Sequence, residues 1–132
     1  MSLHFRPHMR ISSPLDFARA FRRGSRARGS TLVVVVHENG LGHARLGLSI
    51  GKVIWKSAVK RNRVRRIFRE AFRLEFGELP AGHDMILIAA EKQLVPDLET
   101  TRYELVKLAK KAQRRLAERR DQEAARGGEG VT

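Results

Sequence analysis

The segment from Thr31 to Val36, TLVVVV, constrains the fold more tightly than any other part of the chain. β-Branched side chains lose rotamer freedom in a helix but sit well on a pleated surface, and successive residues of a strand face opposite sides. A strand of this composition is apolar on both faces, which suits an interior place in a sheet. Turn chemistry follows in His37-Glu38-Asn39-Gly40-Leu41-Gly42. Ala44 to Ile50 then reads as a second strand, and this one alternates. Leu46, Leu48 and Ile50 point to a core, while Arg45, Gly47 and Ser49 make a small, basic opposite face. Asp84 to Ala90, DMILIAA, gives a third apolar strand.

Helices announce themselves by caps and period. Ser13-Pro14-Leu15-Asp16 combines an N-cap serine, proline at the first helical position and an acid facing the positive end of the dipole. That helix is expected to stop near Gly24. Lys56 to Phe76 reads as a long helix closed by Gly77 and Pro80. A last helix is expected near Thr101, where Thr101 and Glu104 have the spacing of a capping box. Leu105, Leu108, Ala109, Ala112 and Leu116 follow at helical spacing. The predicted order is α-β-β-α-β-α, an α+β fold built as a small α-β sandwich with helices covering one sheet face. Residues 1–123 are expected to form a single domain and the glycine-bearing residues 124–132 a flexible tail.

Composition narrows the partners. A chain of 132 residues with formal net charge +13 and a pI near 11.4 is drawn to polyanions. The whole excess lies between Met1 and Arg73; from Leu74 onward acids slightly outnumber bases. Cysteine is absent, which excludes disulfides and thiolate metal sites. The longest apolar run is far too short to span a bilayer, and the N-terminus lacks the apolar stretch of a secretory signal. A cytoplasmic protein without membrane partners is expected.

The positive charge concentrates in Lys56 to Arg73, KSAVKRNRVRRIFREAFR, whose only acid is Glu70. On a helical wheel Val64, Ile67, Phe68, Ala71 and Phe72 fall within about 140° and form a buried stripe. Arg61, Arg65, Arg69 and Arg73 make an i, i+4 row along one border, with Asn62 and Arg66 beside it. Like charges at that spacing destabilise an isolated helix by roughly 0.2–0.5 kcal/mol per pair, so an external anion is the natural partner. Guanidinium forks engage phosphate oxygens in pairs, and the Asn62 amide can reach a base edge or a 2′-hydroxyl. The final helix mixes signs and reads as solvated. Phe17 and Phe21 share a face of the first helix, flanked by Arg19, Arg22 and Arg23. Spacing alone allows either core packing or a stacking platform for bases beside the Arg45/Gly47/Ser49 face.

Three stretches resemble the bacterial ribonuclease P protein family: Phe17-Ala18-Arg19-Ala20-Phe21, Arg45-Leu46-Gly47-Leu48-Ser49-Ile50-Gly51-Lys52, and Ala58 to Arg66, AVKRNRVRR. They match its F-x-x-x-F, its R-x-G-[LIF] strand and its RNR helix in order and spacing, over about Arg10 to Leu116. The resemblance implies a left-handed βαβ crossover in a ribosomal-protein-like fold. It implies one subunit of a ribonucleoprotein whose RNA performs Mg²⁺-dependent removal of the 5′ leader from precursor tRNA. On the matching positions it places Phe17, Phe21, Arg45, Ser49 and Lys52 at a leader-binding cleft. Arg61, Asn62, Arg63, Arg65, Arg66 and Arg69 face the catalytic RNA, and Mg²⁺ is bound mainly by RNA. Two departures stand out. Val53 takes the place of a second lysine common in the family, and the first central strand is all valine after Leu32 where some members carry an aromatic.

No protein-borne catalytic residues or metal ligands are expected. His4, His8, His37, His43 and His83 fall in predicted tails or turns without the spacing of a metal site or an acid/base pair. Two other classes share the charge pattern. A structural ribosomal-type RNA-binding protein has no use for a separate aromatic cleft. A DNA-binding regulator would show a short recognition helix after a tight turn and a dimer surface.

Overall fold

The structure, a computed structural model, describes residues 6–129. After a 3-10 turn at Pro7–Met9 come α1 (Pro14–Arg23), β1 (Ser25–Arg28), β2 (Leu32–Glu38), β3 (Arg45–Ser49), α2 (Ala58–Glu75), β4 (His83–Ala89) and α3 (Leu98–Glu129). The strands form one four-stranded sheet in the order β1-β2-β4-β3. β2, the valine strand, is interior as its two apolar faces require, paired antiparallel with β1 and β4. β3 and β4 are parallel and joined through α2, which makes the βαβ unit.

Two expectations about the layers are corrected. β1 was not anticipated, because Ser25-Arg26-Ala27-Arg28 holds no β-branched or large apolar residue. Its one signal is alternation, with Ser25 and Ala27 buried and both arginines exposed. The element order is therefore α-β-β-β-α-β-α. Helices also cover both faces of the sheet. Val34, Val36, Leu46, Met85 and Leu87 join Phe68 and Phe72 of α2 and Leu105, Leu108 and Leu116 of α3 in the main core. On the other face, Val35 and Ile86 pack with Ile11 and with Ala20, Phe17 and Phe21 of α1. The period-2 geometry of β2 sends alternate valines to these two cores.

Local chemistry sets the helix ends. Ser13 caps α1, its Oγ accepting from the Asp16 N–H at 3.3 Å, and Ser57 caps α2 through the Lys60 N–H, also at 3.3 Å. α3 begins earlier than expected, at Leu98, because Asp97 accepts from the Thr100 N–H at 2.8 Å. The Thr101–Glu104 capping box therefore does not form. The Thr101 hydroxyl donates to the Asp97 carbonyl at 2.6 Å, and Glu104 reaches across to the β1–β2 turn. There its carboxylate accepts from the Ser30 hydroxyl and from the amides of Thr31 at 3.0 Å and Leu32 at 3.4 Å. Burial opposes ionisation of Glu104, but these donors together outweigh it and hold the carboxyl below its ordinary range.

α3 continues as helix through the residues expected to form a tail as far as Glu129, exposed from Asp121 to Gly127; residues 130–132 lie outside the described part. Arg115 donates to the Arg26 carbonyl of β1 at 2.7 Å, and Arg119 donates to the Arg23 carbonyl at the end of α1. On the far edge, the Ile11 N–H donates to the Leu46 carbonyl of β3 at 2.9 Å. Among the described residues no helix is long and apolar enough to cross a membrane.

Candidate nucleic-acid interface

α1 packs on the sheet face opposite α2 and α3 and covers it only in part. Strand alternation gives this face Arg26 and Arg28 from β1, Val33 and Val35 from β2, Ile86 and Ile88 from β4, and Gly47 and Ser49 from β3. Phe17 and Phe21 border it. Their rings lie nearly parallel, 13° apart in plane with centroids 6.3 Å apart, and each is half-buried against the smaller core. Core packing of these rings is therefore realised in part: they anchor α1 on the sheet and stay partly accessible.

Gly47 sets the position of Phe17. A Cβ there would lie 2.8 Å from the ring, closer than real Cβ contacts come, so a hydrogen is what lets the ring settle on the strand. Beside it, a recess of about 190 Å³ is lined by Arg10, Ile11, Phe17, Gly47, Leu48 and Arg69. Phe17 from α1 and Arg69 from α2 thus line one recess at the outer edge of β3.

Arg45 has a different place from the one expected. Its Nε and Nη2 each donate to a carboxylate oxygen of Asp84 at 2.7 Å, and Nη2 also reaches Asp16 of α1 at 3.4 Å. Asp84 is buried and takes a further hydrogen bond from the Asn39 amide at 2.9 Å. Hydrogen bonding to Asp84 outweighs burial and raises the Arg45 pKa further. The guanidinium is committed to pinning α1 to β3 and β4, so it serves the frame of the cleft. Lys52 is exposed in the turn after β3 and lines a separate depression with Trp55, away from the recess at Phe17.

The arginines of α2 divide into two groups. Arg61 donates to the carbonyls of Trp55 and Lys56 at 2.9 Å each. Arg65 donates to the Ile50 carbonyl at 2.8 Å and to the Asn62 side-chain oxygen at 2.9 Å. These two secure the β3–α2 connection. Arg73 pairs with Glu70 on the same helix. Asn62, Arg63 and Arg66 are exposed, and Arg69 is half-buried at the recess. The row along the stripe is therefore largely engaged within the protein, and the outward charge of α2 is carried by Arg63 and Arg66 beside it.

Arg26 and Arg28 were missed because β1 was missed. The Arg26 guanidinium lies 4.7 Å from the Phe21 ring centroid and donates to the Phe21 carbonyl at 3.0 Å, while Arg28 donates to the Ala90 carbonyl at 2.5 Å. The alternation of S-R-A-R was the available signal. His37 lies in β2 and His83 opens β4, where turns were expected, and His4 is outside the described residues. Burial lowers the His37 pKa, reinforced by the charge of Arg120. His43 contacts the His8 carbonyl at 2.9 Å. Among the described residues, no group of three or more His, Asp or Glu side chains is placed to hold a metal ion.

The family model for Ribonuclease P matches residues 5–113. The chain is 36% identical over 89 residues to the Ribonuclease P protein component of Haemophilus influenzae, covering 67% of this chain and 74% of that one. To the component of Pseudomonas putida it is 41% identical over 90 residues, 67% of each chain. Among solved structures, the RNase P protein from Thermotoga maritima superposes with a TM-score of 0.68 at 31% identity, covering 77% of this chain and 96% of that one. Fold, motif order and relatives agree: the chain belongs to the ribonuclease P protein family, whose members are RNA-binding components of a tRNA-processing ribonucleoprotein.

Proposed function

We propose that this chain binds the catalytic RNA of ribonuclease P through the exposed arginines of α2 and holds the single-stranded 5′ leader of precursor tRNA in the α1 cleft. The observation that carries the reading is the pair of parallel, partly buried rings beside the apolar and basic residues of the same sheet face. Bases stack on Phe17 and Phe21 without regard to sequence, and Arg26 and Arg28 bring positive charge to the same face. Ser49 lies on the open floor, and Lys52 stands beyond the end of its strand. Arg63, Arg66 and Asn62 present forks and an amide to the folded RNA, while Arg61 and Arg65 hold the helix entry in place.

The RNA supplies the hydrolytic chemistry with Mg²⁺. Hard cations take oxygen ligands, and these surfaces offer guanidinium and ammonium groups, so the donor set does not fit a protein-held Mg²⁺. The protein contributes binding and orientation. Added to cognate RNA at low Mg²⁺, it is expected to raise precursor cleavage, while the protein alone cleaves nothing. Phe21→Ala should weaken precursor binding roughly tenfold, within the ~1–3 kcal/mol of one stacked base, and leave mature tRNA binding unchanged. Equal loss for both RNAs would make Phe21 purely a packing residue.

A further inference from the structure

Lys52, Lys56, Lys60 and Lys92 surround a depression of about 730 Å³ whose aromatic wall is Trp55, and no acid lines it. A smaller recess of about 230 Å³, lined in part by Trp55, Lys60 and Arg63, adjoins it. The indole is held from both sides of the chain. Its Nε1 donates to the Leu94 carbonyl at 2.7 Å, the Trp55 backbone carbonyl accepts from Arg61, and the Gln93 N–H donates to the Ile54 carbonyl at 2.7 Å. Gln93 sits at φ 57°, the left-handed region that non-glycine residues enter at a cost, so the clasp is held against backbone strain. The ring packs in part against the main core, and the Nζ of exposed Lys60 rests 4.4 Å from its centroid, so a solvent-facing ammonium covers that face.

A fixed aromatic face among converging ammonium groups has the chemistry of a nucleotide subsite, with the base on the ring and the flanking phosphates on the lysines. We infer that Trp55 is a stacking platform for one unpaired nucleotide of RNA, which displaces the Lys60 side chain and is gripped through its phosphates by Lys52, Lys56 and Lys92. The inference rests on reading the chain as an RNA-binding subunit. The nucleotide comes either from the leader or from an unpaired position of the catalytic RNA. Lys52, beyond the end of the cleft strand, and Arg63, on the outward face of α2, place the subsite between the two surfaces.

Trp55 is the only tryptophan of the chain, so its fluorescence reports on this site alone. Titrating full-length protein with a 3′-dye-labelled single-stranded pentaadenylate should quench its emission saturably, and Phe21→Ala should leave that quenching in place. By the dye signal, Trp55→Phe should bind within about threefold of the parent, while Trp55→Leu loses roughly tenfold, as does Lys56→Glu combined with Lys92→Glu. Thermal melts establish that each variant is folded. Binding of the oligomer without quenching overturns the inference, as does unchanged affinity in a folded Trp55→Leu. In the reconstituted holoenzyme, an emission change on adding catalytic RNA assigns the nucleotide to that RNA, and a change only with precursor assigns it to the leader. An active holoenzyme showing neither change overturns the subsite while leaving the parent reading intact; failure to reconstitute cleavage removes the parent reading itself.

Discussion

At Gly47 one methyl group separates two positions of Phe17. Gly47→Ala places a Cβ 2.8 Å from the ring, and the ring or the strand must move. The expected cost is about 1–3 kcal/mol, as for other overpacked sites, and the weakened precursor binding should resemble that of a Phe17 variant. Calorimetry together with a binding titration checks both. Two residues away, Arg45→Ala should behave differently. It leaves Asp84 buried without its cation and releases Asp16, which breaks a buried pair at about 3–5 kcal/mol. The melting temperature should fall sharply, and precursor and mature tRNA binding should suffer alike. The arginine was legible in the sequence as a member of the cleft strand. Its commitment was not, because Asp84 reaches it only when β3 pairs with β4, and Asp16 only when α1 is laid on the sheet.

Elements were readable where a local signal agreed with the tertiary outcome. Ser13-Pro14 started α1 as read, and the apolar period of α2 buried Val64, Phe68, Ala71 and Phe72. They were unreadable where a residue had a distant competitor. Glu104 had the spacing of a cap but is engaged by the β1–β2 turn, where a Cβ on Gly29 would collide with its carboxylate. The tie gives α3 a pH dependence. Because the folded-state pKa of Glu104 is depressed, its contribution is present above the ordinary carboxylate range and is lost as pH falls through the folded value. Glu104→Gln should therefore cost about 1–2 kcal/mol at neutral pH, and the gap to the parent should close in acid, as read by denaturant melts at a series of pH values. A gap of constant size would mean that the charge of Glu104 contributes nothing. β1 was hidden for a related reason: its arginines have no strand preference of their own, and β2 supplies the ladder.

Across the whole molecule, the charge asymmetry of the sequence singled out the first part of the chain but not which of its arginines face outward. Replacing Arg63 and Arg66 by alanine should flatten the salt dependence of RNA binding by roughly 0.7–0.9 for each phosphate that is no longer engaged. Arg65→Ala should act mainly on stability, since it holds the Ile50 carbonyl. The end of α3 lies past the region matched to the family, yet Leu116 is buried in the main core. Leu116→Ala should cost about 2–4 kcal/mol, so this extension is part of the folded unit and its truncation should lower the melting temperature.

The arginine that α3 sends to the Arg26 carbonyl has a consequence beyond holding two layers together. β1 is an outer strand, and outer strands with free carbonyls and amides are templates for strand addition from another molecule. Arg115 occupies that carbonyl and sets a charge in front of it, while Arg26 and Arg28 add two more on the strand itself. At the opposite margin, the Arg10–Ile11 segment bridges to Leu46 of β3. Both margins of the sheet are thus guarded against the addition of a strand from another molecule.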